Sequence, residues 1–206
     1  MTRLLTKTIA LSAILILALT VSGAGAAGPP TEIVKEVIGK ALDILNNPSY
    51  QGPAQKETRR RLVKQIVDRR FDYREMAKRS LGSAWNNLNN SQRDEFVRLF
   101  AELLEASYSD KIDRYAKHVK VDYTGENLEA GYAEVRTVVV RPNDRIPLTY
   151  RLYNESGSWM VYDVVIEGVS LVSNYRSQFS RIISESSYAE LVKRLRNKVN
   201  EQRGGA

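Results

Sequence analysis

The sequence predicts an α+β fold, a four-stranded antiparallel sheet covered by several helices, and three observations predict it. Up to about residue 117 apolar residues recur at helical spacing; from Val119 the period falls to two, with Val, Tyr and Thr common; after Gly168 the helical period returns and holds to the end. Helices and strands kept apart along the chain in this way belong to an α+β architecture.

Taken in order, the chain opens on an address. Arg3 and Lys7 precede an apolar run of 13 residues, 9–21, and small residues follow through Ala27. This is the pattern of a secretory signal peptide, with Ala24-Gly25-Ala26 as the small-x-small cleavage site. The run is shorter than the roughly 18 apolar residues of a membrane-spanning helix, and no second candidate follows. Residues 1–26 are therefore expected to be removed. Residues 27–206 are expected to form one exported domain, helical over 31–117, with the sheet and two last helices over 118–203.

Val34, Val37, Ile38, Ala41, Ile44 and Leu45 share one face of a helix over 31–47, which Asn46-Asn47-Pro48 stops. Leu62, Val63, Ile66 and Val67 mark a second helix beneath a basic face of Arg59, Arg60, Arg61, Lys64, Arg69 and Arg70, and such a face is ordinarily a solvated surface. Asp72 caps a short helix that pauses at Gly82. Ser91 with Asp94 reads as a capping box for a helix of about 25 residues, apolar at Phe96, Phe100, Leu103, Leu104, Tyr108 and Ile112. Beyond the sheet one helix spans 170–185, and Ser187 with Glu190 opens another that carries Tyr188, Leu191, Val192, Leu195 and Val199.

The strands fall at 119–123, Tyr132–Arg141, 146–153 and 159–167 and form a meander. Residues directly opposite one another must face the same side. Pairing Leu152 with Met160 across a turn at 154–158 groups Tyr162, Val164 and Ile166 with Ile146, Leu148, Tyr150 and Leu152. A two-residue turn at Asn143-Asp144, pairing Arg141 with Ile146, adds Ala133, Val135, Thr137 and Val139. One broad apolar face carrying two tyrosines results.

Catalytic groups are scarce. The chain has no cysteine, hence no disulfide or thiolate metal site, and its one histidine, His118, cannot build a histidine cluster. It has no Gly-x-Ser-x-Gly elbow, no phosphate loop and no HExxH. Asp163 is the one acid inside an apolar strand; in this register it lies opposite Thr149 and diagonal to Arg151, which favours a cross-strand ion pair over a catalytic base. Loss of the leader removes Arg3 and Lys7 and no acid, which leaves 29 basic residues against 24 acidic and takes the net charge from +7 to +5. Such an excess suits anionic partners such as phospholipid headgroups or acidic protein faces, with nucleic acid the poorest fit for an exported chain. The apolar sheet face under amphipathic helices suits ordinary core or a ligand cavity, and pattern leaves both open. Two other readings also stand: a small exported enzyme, which would need titratable groups converging on that face, and a module gripping apolar protein segments.

A longer pattern goes further. Phe71-Asp72-Tyr73-x-x-Met76-Ala77-x-x-Ser80-Leu81-Gly82-x-x-Trp85, then Leu88-x-x-Ser91-Gln92-Arg93-x-x-Phe96, is followed by Trp159-x-Val161-Tyr162-Asp163-Val164-x-x-Glu167-Gly168-Val169-Ser170-Leu171-Val172-x-Asn174-Tyr175-Arg176-x-Gln178-Phe179. In these residues the chain resembles the MlaC family of periplasmic phospholipid-transport proteins, the toluene-tolerance family, over essentially all of 27–206. The resemblance implies a cone-shaped fold with a deep apolar pocket for the acyl chains, phospholipid as bound ligand, no cofactor and no enzymatic activity. It further implies a periplasmic shuttle between an outer-membrane lipoprotein–porin complex and an inner-membrane MCE-type ABC transporter, keeping the outer membrane asymmetric.

With that resemblance the sheet face becomes the expected pocket wall: Val135, Val139, Leu148, Tyr150, Leu152, Tyr162, Val164 and Ile166. The covering helices are expected to add Phe96, Phe100, Leu103, Leu104, Val169, Leu171, Tyr175 and Phe179. Two basic surfaces, Arg59-Arg60-Arg61 with Lys64 and Lys193-Arg194 with Arg196, are the expected docking surfaces for an acidic partner or an anionic headgroup.

Overall fold

The computed structural model describes residues 29–115 and 118–204; the leader and its cleavage site lie outside them. Helix α1 (Pro30–Asn46) starts on Pro30, whose missing N–H is no loss in a first turn, and two 3-10 turns lead to α2 (Lys56–Asp68). In α3 (Tyr73–Leu81) the Asp72 carboxylate accepts from the Glu75 N–H at 2.9 Å. A 3-10 segment, Gly82–Asn87, leads to α4 (Asn90–Tyr115). The capping box of α4 is Asn89 with Gln92, each side chain accepting from the other's backbone N–H at 2.9 Å, and not Ser91 with Asp94. Reciprocal capping needs a partner three residues on, and Asn89 to Gln92 meets that spacing two residues earlier.

The sheet has five strands in the order β1 (Lys120–Glu129), β2 (Tyr132–Arg141), β3 (Asp144–Glu155), β4 (Ser158–Ile166) and β5 (Val169–Ser170), all antiparallel. Strand β1 runs well past residue 123 because it pairs along the whole of β2, from Lys120 opposite Val140 to Glu129 opposite Tyr132. The added β5 is a two-residue pairing with Val165 and Ile166 that delivers the chain to α5 (Leu171–Glu185), capped by the Ser170 hydroxyl; α6 (Tyr188–Gly204) follows, with Ser187 accepting from the Glu190 N–H.

At the β2–β3 hairpin the turn is Pro142-Asn143, and Arg141 lies opposite Asp144. The expected register was off by two residues, an even slip, so every side chain keeps its expected face: Val139 opposes Ile146, Thr137 Leu148, Val135 Tyr150 and Ala133 Leu152. The β3–β4 hairpin differs more. Leu152 opposes Val161 while Arg151 opposes Asp163, so Tyr162 is the extra residue of a bulge. A bulge reverses the alternation that the pleat predicts: Trp159 and Val161 turn into the core beside Leu152, Val164 regains that side past the bulge, and Tyr162 turns away. Asp163 stands directly opposite Arg151, 3.4 Å from its guanidinium, and also accepts from the Ser170 hydroxyl at 2.6 Å and the Val172 N–H at 3.1 Å. The one acid buried in the sheet therefore anchors the N-terminal turn of α5.

Apolar burial divides into two clusters. One lies among α3, α4, α5 and α6, around Met76, Leu81, Phe96, Phe100, Phe179, Leu191 and Leu195; its rings meet edge to face, Phe96 on Phe179 at 5.6 Å and Phe100 on Tyr175 at 5.2 Å. The other joins α1 to the sheet through Ile33, Val34, Ala133, Val135, Leu152 and Val161.

Candidate functional site

A cavity of about 360 Å³ opens between the sheet and helices α1, α2 and α4, within the roughly 300–1,000 Å³ range of small-molecule sites. Its axis can be followed along several elements at once. Helix α1 supplies Leu45, Leu42, Ala41, Ile38 and Val37 in that order from the outer end; α2 supplies Arg60, Val63, Lys64 and Val67; α4 supplies Ile112, Tyr108 and Leu104. From the sheet come Val121, Val139, Leu148, Tyr150, Val164 and Ile166, and Leu171 closes one side. Phe71, in the connection between α2 and α3, and Tyr73 and Met76 of α3 cover the inner part.

The spacing of apolar positions on each element is what turns them inward, yet they are not packed as core. Val37, Ile38, Ala41, Leu42, Val67, Phe71, Val121, Val139, Leu148, Tyr150, Ile166 and Leu171 are only half-buried, because the space they face is empty. A close-packed interior leaves no void of this size.

Polar groups sit at the outer end. Arg60, Lys64, Glu105, Ser109 and Asp113 form the rim, where Ile112 is 40% exposed. Most of the rim charges are spoken for. Arg59, buried behind it, holds both carboxylate oxygens of Asp113 and donates to the Tyr50 carbonyl, Arg60 pairs with Asp110 and Glu57, and Lys64 pairs with Asp68. Deeper in, the titratable groups are phenols. Burial drives the Tyr150 and Tyr73 hydroxyls up, with Asp68 adding to the rise at Tyr73, so both stay neutral at neutral pH. No cluster of three or more His, Asp or Glu suited to a metal ion occurs among the described residues. The interior, lined largely by apolar side chains, can hold an apolar guest by burial.

Of the expected wall, Leu104, Val139, Leu148, Tyr150, Val164, Ile166 and Leu171 line the cavity. The rest lie elsewhere. Phe96, Phe100, Leu103, Tyr175 and Phe179 fill the helical cluster, which lies on the other side of α4's apolar stripe. Val135 and Leu152, both 0% exposed, are covered by α1 before the cavity begins. Tyr162, displaced by the bulge, packs on the outer face against the Arg79 guanidinium at 4.1 Å and the rings of Tyr132 and Tyr153; Val169 is 57% exposed. Missing from the expectation were the α1 and α2 residues and Phe71. Their stripes were visible in the sequence, but no local signal says that those helices close over the sheet.

The docking surfaces also change. Arg59 is a buried ion pair and no part of a solvated face, because Asp113 arrives from α4 to neutralise it. Arg194 pairs with Glu190 and Arg196 with Glu95, which leaves Arg61 and Lys193 as the members of the two surfaces that are exposed and outside any of these ion pairs.

Residues 35–197 match the family model described as MlaC protein. The intermembrane phospholipid transport system binding protein MlaC of Haemophilus influenzae (strain ATCC 51907 / DSM 11121 / KW20 / Rd) is 24% identical over 126 residues, and the match spans 59% of this chain and 59% of that protein's length. The fold superposes with a TM-score of 0.75 on the phospholipid-binding protein from Ralstonia solanacearum, solved in complex with a phospholipid, at 24% identity and covering 84% of this chain and 97% of that one. At that identity the likeness carries the fold.

Proposed function

Because the chain belongs to the MlaC family, we propose that it binds phospholipid with the acyl chains in the cavity and carries it through the periplasm, from 27–206 as one domain after loss of the leader. In this reading its docks are an outer-membrane lipoprotein–porin complex and an inner-membrane MCE-type ABC transporter, and its work keeps the outer membrane asymmetric. The observation that carries the reading is the cavity itself, apolar throughout its depth and charged only at its rim.

The energetics fit a carrier. At about 0.8 kcal/mol per methylene, two acyl chains of roughly 15 methylenes each favour an apolar cavity over water by about 24 kcal/mol, an upper bound above the practical ceiling of roughly 18–21 kcal/mol for noncovalent binding. The comparison that governs exchange is cavity against bilayer, where the chains are already dry. Those terms nearly cancel, so the lipid leaks slowly into water yet exchanges readily where the protein docks. Direction then comes from the partners.

Native mass spectrometry of the purified protein, followed by solvent extraction, tests this. A stoichiometric adduct that extracts as diacyl phospholipid supports the carrier; protein that takes up no lipid even from phospholipid vesicles overturns it.

A further inference from the structure

Two rings close the inner end of the cavity. Phe71 and Tyr150 line the main cavity and also a second one of about 10 Å³ that lies beyond them, walled by Ile33, Val34 and Val161. A pocket of that size with aliphatic walls is at the limit of holding one water and stays dry. Past it lies the close-packed junction of α1 with the sheet.

Neither ring can retreat with its backbone. Phe71 sits where the α2–α3 connection is stitched to β4: the Val161 N–H donates to the Arg70 carbonyl at 2.7 Å, and the Asp72 N–H donates to the Val161 carbonyl at 2.9 Å. Tyr150 lies in the middle of the sheet, paired with Val135 on one side and Val164 on the other. The Tyr150 hydroxyl has no hydrogen-bond partner among the described residues, so removing the ring changes volume and orphans nothing.

We propose that Phe71 and Tyr150 are the floor that sets the length of acyl tail this cavity accepts, a selectivity that rests on the reading of the cavity as an acyl-chain site. A tail that just reaches the floor is dry along its whole length. Each further methylene must remain beyond the rim in water, which disfavours the longer lipid by about fourfold per methylene. Opening the floor joins the small cavity to the large one and gives the extra methylenes a dry place.

The test loads the full-length mature protein from vesicles holding equal amounts of saturated diacyl phosphatidylglycerols with tails from 12 to 20 carbons and reads the bound distribution by native mass spectrometry. Wild type should show a length beyond which occupancy falls about fourfold per methylene. Tyr150→Ala should move that limit to longer tails, and Ile33→Phe added to it, filling the small cavity, should move it back. Phe71→Leu, a milder change, provides the same reading if Tyr150→Ala fails to fold. An unchanged limit in a folded, lipid-loaded variant overturns the floor and leaves the carrier standing. A wild-type protein that takes up none of these lipids overturns the carrier, and the floor with it.

Discussion

Leu148 and Val139 lie diagonal to one another on adjacent strands of the cavity wall, and a carboxylate at either would look into a largely apolar space. Burying such a charge unpaired costs several kcal/mol, so the group either stays protonated or draws water into the cavity, and both spoil it for an acyl chain. Because the two positions are walls and not close-packed core, Leu148→Asp should still fold and should lose bound lipid, as thermal melting alongside native mass spectrometry would show. Phe96 is the converse case. It is 0% exposed and, away from the cavity, stacks on Phe100, meets Phe179 edge to face and lies tilted against Tyr188. Phe96→Ala should cost about 3–5 kcal/mol of stability in urea unfolding, while whatever remains folded keeps its lipid. Equal loss of lipid in both variants at matched stability would mean that the cavity and the helical core are not separate.

Helices α2 and α4 meet over the rim largely through charge: Arg59 with Asp113, Arg60 with Asp110, and Lys56 with Asp110 at 3.3 Å. Breaking the buried member, Arg59→Ala, leaves Asp113 without its guanidinium and should destabilise the protein by about 3 kcal/mol, measured by denaturant unfolding. The exposed members respond to pH. Partial burial opposes ionisation of Asp110, but Lys56 and Arg60 outweigh it and hold its carboxyl below the usual value of 3.8. Its folded-state pKa is depressed, so its contribution is full above the unfolded value and is lost as the pH falls through the folded one. Protection factors at the α2–α4 contact, which divide out the intrinsic pH dependence of amide exchange, should therefore fall in acid below about pH 4 and stay unchanged from about pH 5 to 8. These elements also mark how far the sequence could be read. Helical stripes and strand alternation are local signals, and they place α1 to α6 and β2 within a few residues of where they lie. The face of β2 and β3 survived an even slip at Pro142-Asn143, whereas the bulge at Tyr162 reversed a side chain that strict alternation had turned inward. Leu104 and Phe100 sit one turn apart on the same stripe of α4 and both pack in the helical core, yet only Leu104 also borders the cavity. Periodicity reports which face turns inward, and not whether an atom or a void lies opposite. Arg59 could not be told from Arg60 and Arg61 either, since its distinguishing partner lies 54 residues away.

Across the whole molecule the two basic surfaces occupy opposite ends of α4. Helix α6 packs on its first half, with Arg196 on Glu95 and the Tyr188 hydroxyl donating to the Gln92 carbonyl, while α2 crosses its second half at Asp110 and Asp113. Fifteen helical residues from Glu95 to Asp110 span roughly 22 Å, well beyond a Debye length of about 8 Å at physiological salt. The two surfaces therefore act independently, and only the α2 surface borders the cavity rim. If headgroups are steered toward the rim by charge, Arg61→Glu should slow lipid uptake from anionic vesicles several-fold at low ionic strength and hardly at all near 1 M salt, where the Debye length is about 3 Å. Lys193→Glu, at the far end, should leave uptake from vesicles nearly unchanged and affect transfer only where a protein partner is present. Stopped-flow transfer of a fluorescent phospholipid from phosphatidylglycerol vesicles across a salt series separates the two. Equal slowing by both substitutions would place the steering in the overall net positive charge, and no slowing by either would leave Arg61 and Lys193 as solvated charge alone.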